Sequence, residues 1–204
     1  EPAKAILARA VQHLPDDVDL WIAAAKLETD VERRKRVYHK ALERLPTSIE
    51  LWKEAVSLEQ PDEARVLLNQ AVKCVPHSAQ MWLALAHLET YEQAKIVLNN
   101  ARKALPREKV IWIAAAQLEE ANGNLQRVHG VISKAVSSLL TRGVTHTRAE
   151  WLAEAERCEL AGSLVTCESI VQVTIGSGLD LADCESIWRE DATHCIARKQ
   201  IHTA

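Results

Sequence analysis

Trp82-Leu83-Ala84-Leu85-Ala86-His87-Leu88-Glu89 opens a block that continues through a polar turn and an alanine-rich run to Leu105-Pro106 and then to Trp112. The block is one period of an internal repeat, and copies of it run in both directions. A fixed period of this length is the signature of a repeat array and decides the fold before any local reading. Trp21, Trp52, Trp82 and Trp112 are spaced by 31, 30 and 30 residues, and each stands six residues after a proline: Pro15, Pro46, Pro76 and Pro106. Leucine recurs six residues after each of these tryptophans (Leu27, Leu58, Leu88, Leu118), and glutamate seven after (Glu28, Glu59, Glu89, Glu119).

Each period carries two helical signatures. In the first helix, A, the positions 0, +3, +4 and +7 from the tryptophan fall within about 100° of one another, which defines one face. A large Trp beside small Ala on that face suits close packing of helices, the ring filling the room that the small residues leave. In the second helix, B, an alanine recurs (Ala10, Ala41, Ala71, Ala101, Ala135) with Leu7, Tyr38, Leu68, Leu98 or Ile132 three residues before it. Four B helices run into Leu-Pro or Val-Pro, and proline cannot continue a helix without losing a hydrogen bond and clashing. Asp16, Asp17, Thr47, Ser48 and Ser78 then offer N-cap oxygens for the next A helix, and Thr47 with Glu50 has the spacing of a capping box.

The later copies depart from this register. Asn122-Gly123-Asn124 signals a turn, a B helix follows from Leu125 to about Leu140, and an insertion occupies residues 141–147. Trp151 arrives 39 residues after Trp112, and Trp188 arrives 37 later, beyond Gly176-Ser177-Gly178. The organisation expected is therefore regular repeats over residues 1–124 and degenerate ones over 125–204. Together they form one continuous right-handed all-α solenoid of antiparallel helix pairs, about twelve helices, cut from a longer array. Trp21, Trp52, Trp82, Trp112, Trp151 and Trp188 are read as structural.

Composition excludes several functions. The 25 Lys and Arg nearly balance the 28 Asp and Glu, a net charge of −3, which argues against a dedicated nucleic-acid grip. Six glycines and six prolines are too few for a disordered linker or a turn-rich β chain. No apolar run approaches the roughly 20 residues that cross a bilayer, and no charged-then-apolar leader opens the chain, whose start at Glu1-Pro2-Ala3 reads as a cut made mid-protein. The five cysteines (Cys74, Cys158, Cys167, Cys184, Cys195) include no C-x-x-C pair, which fits free thiols in a reducing compartment, the cytosol or nucleus. His194-Cys195 lacks further ligands at zinc spacing, so no metal site is expected. No phosphate loop, G-x-S-x-G or His-Glu-x-x-His appears. No catalytic residue, cofactor or small-molecule substrate is implied.

The glutamates at +7 carry physical tension, because a half-buried carboxylate needs a partner. Lys4, Lys35, Arg65, Lys95 and His129 each precede a B-helix alanine by six residues. A tie between Glu28, Glu59, Glu89 or Glu119 and the cation that opens helix B of the same hairpin is expected. Arg33-Arg34-Lys35-Arg36 is a basic run that reads as a solvated helix start, with a nuclear-localisation or phosphate-binding patch as the sharper alternative. Asn69 and Asn99 share a repeat position of the kind that clamps peptide carboxylates. Helical phase leaves the +2 and +5 positions of helix A, namely Ala23, Lys26, Glu54, Ser57, Ala84, His87, Ala114 and Gln117, as the candidate lining of a partner-binding groove.

Trp-x2-Ala-x2-Leu-Glu in helix A, with Arg36-Val37-Tyr38-His39-Lys40-Ala41-Leu42 before Pro46 in helix B, resembles the HAT (half-a-TPR) repeat family, although Ala or Leu stands where that family places a second aromatic at +3. The block from Ser78 to Asn124 resembles more narrowly the HAT-repeat proteins of the spliceosomal tri-snRNP. That resemblance implies a non-catalytic scaffold in the nucleus, bridging other splicing-factor proteins of the tri-snRNP, with RNA contact indirect or weak and no membrane attachment. The other classes left open are an RNA-binding helical-repeat module and a TPR-type peptide-binding co-chaperone.

Overall fold

The computed structural model describes residues 2–175 together with Arg189, Ala192, Thr193, Ile196 and Ala197. Trp188, Cys184, the His194-Cys195 pair and Gly176-Ser177-Gly178, all singled out in the sequence, lie outside the described residues. The described residues are all-α, as the periodicity predicts: α1 (Pro2–His13), α2 (Val18–Lys26), α3 (Val31–Arg44), α4 (Ile49–Ser57), α5 (Pro61–Cys74), α6 (Ala79–Leu88), α7 (Tyr91–Ala104), α8 (Lys109–Ala121), α9 (Leu125–Thr141), α10 (Arg148–Leu160) and α11 (Leu164–Ile170). A π-helical turn, Val171–Ile175, follows α11. The odd-numbered helices are B helices and the even-numbered ones A helices, the alternation of a helical-repeat solenoid.

Two compact units make up the chain, Glu1–Val97 and Leu98–Ala204, and the boundary falls inside α7. In the first, α2 packs on α1 and α3, α4 packs on α3 and α5, α6 packs on α5, and α2 and α4 stand side by side. In the second, α8 packs on α9 and α11, and α10 and α9 both pack on α11.

One local device joins each B helix to the next A helix. The last helical bond of B is accepted by the recurrent alanine: Leu14, Leu45, Val75 and Leu105 donate their N–H to the carbonyls of Ala10, Ala41, Ala71 and Ala101 at 2.7–2.8 Å. A tight turn follows, closed by the N–H of Asp17, Ser48, Ser78 or Glu108 on that same Leu or Val carbonyl at 3.1–3.4 Å. The proline is the second residue of this turn, where its fixed φ is already correct. Its carbonyl then accepts the indole N–H of the tryptophan six residues on: Trp21 to Pro15 at 2.8 Å, Trp52 to Pro46 at 2.8 Å, and Trp82 to Pro76 at 2.9 Å. A buried indole needs such a partner, which is why the six-residue spacing recurs.

Capping follows the sequence in part. Asp17 caps α2 through the N–H of Leu20, and Ser48 caps α4 through that of Leu51. Thr47 with Glu50 does not form a capping box, because the helix starts one residue later and Ser48 takes the cap. The box forms instead at Thr147 and Glu150, at the start of α10. The first two A helices also end early, at Lys26 and Ser57, so Glu28 and Glu59 stand in the turn beyond the helix.

The core is the shared face of each pair. In the first unit Ala25, Tyr38, Ala41, Leu51, Leu68, Ala71 and Leu85 are almost wholly buried around Trp21, Trp52 and Trp82. In the second, Ile113, Val128, Ile132, Leu139, Trp151, Ala155, Cys158 and Ile170 form one cluster. Gly123, Gly143 and Gly162 terminate α8, α9 and α10 with φ of 79°, 70° and 81°, the left-handed conformation that glycine adopts without cost.

Candidate functional site

The glutamates find cations, but one repeat earlier than sequence proximity suggests. Glu28 accepts from Lys4 of α1 at 3.0 Å, and Glu59 meets Lys35 of α3 at 2.6 Å. Each bond joins a turn to the B helix of the preceding hairpin, because stacking brings that helix alongside while the cation of the same hairpin points onward. Lys35 also reaches Glu63 at 3.4 Å and Glu32 at 3.6 Å. Burial of Glu59 disfavours its charge, but the hydrogen bond from Lys35 and the nearby positive charge outweigh that and hold its carboxyl below the ordinary value.

The pattern does not extend unchanged. Arg65, the cation that the same geometry would give Glu89, turns to Asp62 at 2.7 Å, and the Lys95 ammonium lies 4.9 Å from the centre of the Tyr91 ring. Glu119 instead accepts from the Asn124 amide at 2.9 Å, with Arg127 at 4.0 Å. Its neighbour Glu120, which the sequence did not single out, holds the start of α11: the N–H groups of Val165 and Thr166 donate to it at 2.9 and 2.8 Å, and the Thr166 hydroxyl at 2.6 Å.

The positions named for a groove on helix A are all accessible. Lys26, Ser57 and His87 are exposed, while Ala23, Glu54, Ala84, Ala114 and Gln117 are half-buried. Three of them are used internally. Lys26 and Glu54 pair at 3.5 Å between the adjacent helices α2 and α4, and the Tyr38 hydroxyl donates to Glu54 at 3.4 Å. Burial first, and then this carboxylate, push the Tyr38 phenol up to about 12. The Gln117 amide donates to the Cys158 sulfur at 3.6 Å between α8 and α10. The surface left for contact is therefore mostly small: alanines, a serine and His87.

The basic run disperses. Arg34 donates to the Glu28 carbonyl at 2.8 Å, Arg33 stands 3.7 Å from Asp30, and Lys35 is consumed by its glutamates. Asn69 donates back to the Arg65 carbonyl at 3.0 Å, in a helix-internal bond. Arg36 alone of the run turns toward a crevice between α1 and α3, of about 550 Å³, which sequence reading did not find. Its lining comes from the B helices α1 and α3 and from the A helix α2 between them, so no local pattern announces it.

Among the described residues, no three His, Cys, Asp or Glu side chains gather to hold a metal ion, and no helix is long and apolar enough to cross a membrane. Cys74, Cys158 and Cys167 take part in no disulfide. Burial, and then the neighbouring Cys167 and Glu154, push the Cys158 thiol up to about 12.

No protein-family model matches the chain. Curated proteins do. The chain is 59% identical over all of its 204 residues to pre-mRNA-processing factor 6 of Homo sapiens and of Pongo abelii, and it spans 22% of the length of each. It is 49% identical over 85 residues to pre-mRNA-splicing factor prp1 of Schizosaccharomyces pombe, covering 42% of this chain and 9% of that protein. Among solved structures, Naa15/Naa10 bound to HypK-THB superposes with a TM-score of 0.46 at 20% identity, over 96% of this chain and 29% of that one. YrrB, a TPR protein with an unusual peptide-binding site, superposes with a TM-score of 0.44 at 14% identity, over 90% of this chain and 97% of that one.

Proposed function

We propose that this chain is a non-catalytic interaction segment of a nuclear pre-mRNA splicing factor, a helical-repeat scaffold that holds other splicing proteins together during assembly of the tri-snRNP. The observation that carries the reading is the 59% identity to pre-mRNA-processing factor 6, which covers all 204 residues of the chain. The structure supports it physically. The conspicuous polar residues, Glu28, Glu59, Glu120, Lys26 and Gln117, are spent on joining helices, and stacked helix pairs present extended surfaces suited to proteins. In this reading the small residues of the A-helix face, with His87, form the contact surface. RNA contact is indirect, since that face has few cations to grip phosphates.

The test is co-purification from nuclear extract with and without RNase. Splicing proteins retained after RNase treatment support the scaffold, and loss of all of them on RNase treatment, with direct salt-dependent RNA binding by the purified chain, would reverse it. Ala84→Arg with His87→Glu should reduce that retention while leaving helicity intact; unchanged retention would rule out the A-helix face.

A further inference from the structure

The crevice between α1 and α3 is amphipathic in a directional way. Its floor is apolar, lined by Leu7, Val11 and Val37 together with the nearly buried Trp21. Its α3 wall carries Arg36, Lys40 and Arg44, four residues apart, so they form one stripe about 12 Å long on a helix rising 1.5 Å per residue. Glu28 also reaches the crevice, but its charge is taken by Lys4. Arg36 donates from Nε to the Glu32 carbonyl at 3.3 Å. Among the described residues no carboxylate stands within ion-pair distance of Arg36, Lys40 or Arg44. Three cations without a carboxylate partner thus border one side of an apolar trough.

We propose that this crevice docks an acidic segment of a protein partner, with apolar side chains seated on the floor and carboxylates facing Arg36, Lys40 and Arg44. The proposal rests on the scaffold reading and gives it a second surface, on the B-helix side, with a partner of defined chemistry. Charge complementarity selects the acidic segment, and the aliphatic floor selects a protein over RNA. Stacking a nucleic-acid base needs an open aromatic face, and the one aromatic ring of the lining, Trp21, is only 5% exposed with its N–H committed to Pro15. The equivalent crevice between α7 and α9, of about 620 Å³, shows the contrast. There Arg102 lies over the Trp112 ring at 4.3 Å, and the rest of the lining is Asn99, Lys103, Pro106, Ser138 and Arg142, with no leucine or valine. The repeat makes the gap, and only in the first case does the sequence furnish it for an apolar anchor.

The experiment is a fluorescence-polarisation titration of the purified chain with a labelled 15-residue peptide carrying Leu and Glu at helical spacing. Two comparison probes accompany it: the same peptide with Leu replaced by Ser, and a 15-nucleotide oligo(U). The expected result is saturable binding of the Leu/Glu peptide that weakens with salt and weakens at least tenfold with the Ser peptide. Binding should also weaken at least tenfold in R36Q/K40Q/R44Q and in Ala8→Arg, which fills the crevice from its exposed α1 rim, both variants keeping the parent far-UV circular dichroism. Absence of peptide binding, or equal binding by all three chains, overturns the proposal. So does oligo(U) binding that the triple variant abolishes while the peptide fails to bind. In nuclear extract, R36Q/K40Q/R44Q retaining the same splicing proteins as the parent chain would remove the crevice and leave the scaffold reading intact. Retention of none by the parent chain would remove the scaffold reading, and the crevice would then stand or fall on the titration.

Discussion

The ammonium of Lys35 and the carboxylate of Glu59 meet at 2.6 Å, and Lys4 repeats the arrangement with Glu28 at 3.0 Å. In both cases the cation precedes the glutamate by 24 residues, so each bond fastens a hairpin to the one before it. These are contacts between repeats, the term that gives a solenoid its cooperativity.

Glu59→Gln should therefore lower the melting temperature by several degrees, since a loss of 1 kcal/mol corresponds to about 2–4 °C in a chain of this size. Glu89→Gln should shift it by less, because Arg65 is engaged by Asp62 in that copy. Differential scanning calorimetry of the two variants checks the order, and an equal loss would contradict it.

The same pair sets a pH dependence. The Glu59 carboxyl lies below its ordinary 4.5 in the folded chain, so its stabilisation is present above that value and disappears as pH falls through the depressed one. Lys35 is held above its ordinary 10.5, chiefly by its hydrogen bond to Glu59, so its share is complete below 10.5 and is lost as pH climbs further. Melting curves from pH 3 to 12 should fall at both ends, and Glu59→Gln should flatten both falls.

Trp52→Phe keeps most of the buried ring but removes the bond to the Pro46 carbonyl, an expected loss of about 1 kcal/mol. Trp52→Ala should cost about 3–5 kcal/mol, because it also leaves a cavity. Urea unfolding midpoints measure both; a Phe variant as stable as the parent would show that the indole bond contributes nothing.

Glu120→Ala strips three acceptor contacts from the start of α11. A loss of about 1–2 kcal/mol is expected, the usual worth of a helix cap. Hydrogen exchange should accelerate in residues 164–170 before it changes in α2 or α4, and uniform exchange would refute the local role.

Cys158 should resist alkylation in the folded chain, since its thiol is buried and its acidity is suppressed to about 12. Cys74, half-buried, should label sooner. Peptide mapping by mass spectrometry after brief iodoacetamide exposure distinguishes them, and early label on Cys158 would contradict the burial.

The helices were legible because their signals are local and repeated. Pro15 before Trp21 and Ala41 before Pro46 recur with enough copies to set both the element type and its ends. What the residues bond to was less legible. The glutamate at +7 announces a need for a cation, but the recurrent cation of its own hairpin, Lys35 for Glu28, is not the one that meets it in space. The rise from one hairpin to the next decides that, and the sequence does not state it. Thr47-x-x-Glu50 and Thr147-x-x-Glu150 look alike in the chain, and only the second forms the box, because Ser48 competes for the cap in the first. The crevice was invisible for a related reason. Arg36, Lys40 and Arg44 read as a stripe on α3, but their opposite wall, Leu7 and Val11, belongs to another helix.

The Pro–Trp bond has a spectroscopic consequence. Each indole proton is held within its own seven-residue stretch, so it exchanges with solvent only when that stretch opens. The side-chain N–H resonances of Trp21, Trp52 and Trp82 are therefore three separate clocks at three heights along the array. Read together in one nuclear magnetic resonance exchange series, they would tell from which end the array frays, and whether a bound partner stills one copy or several.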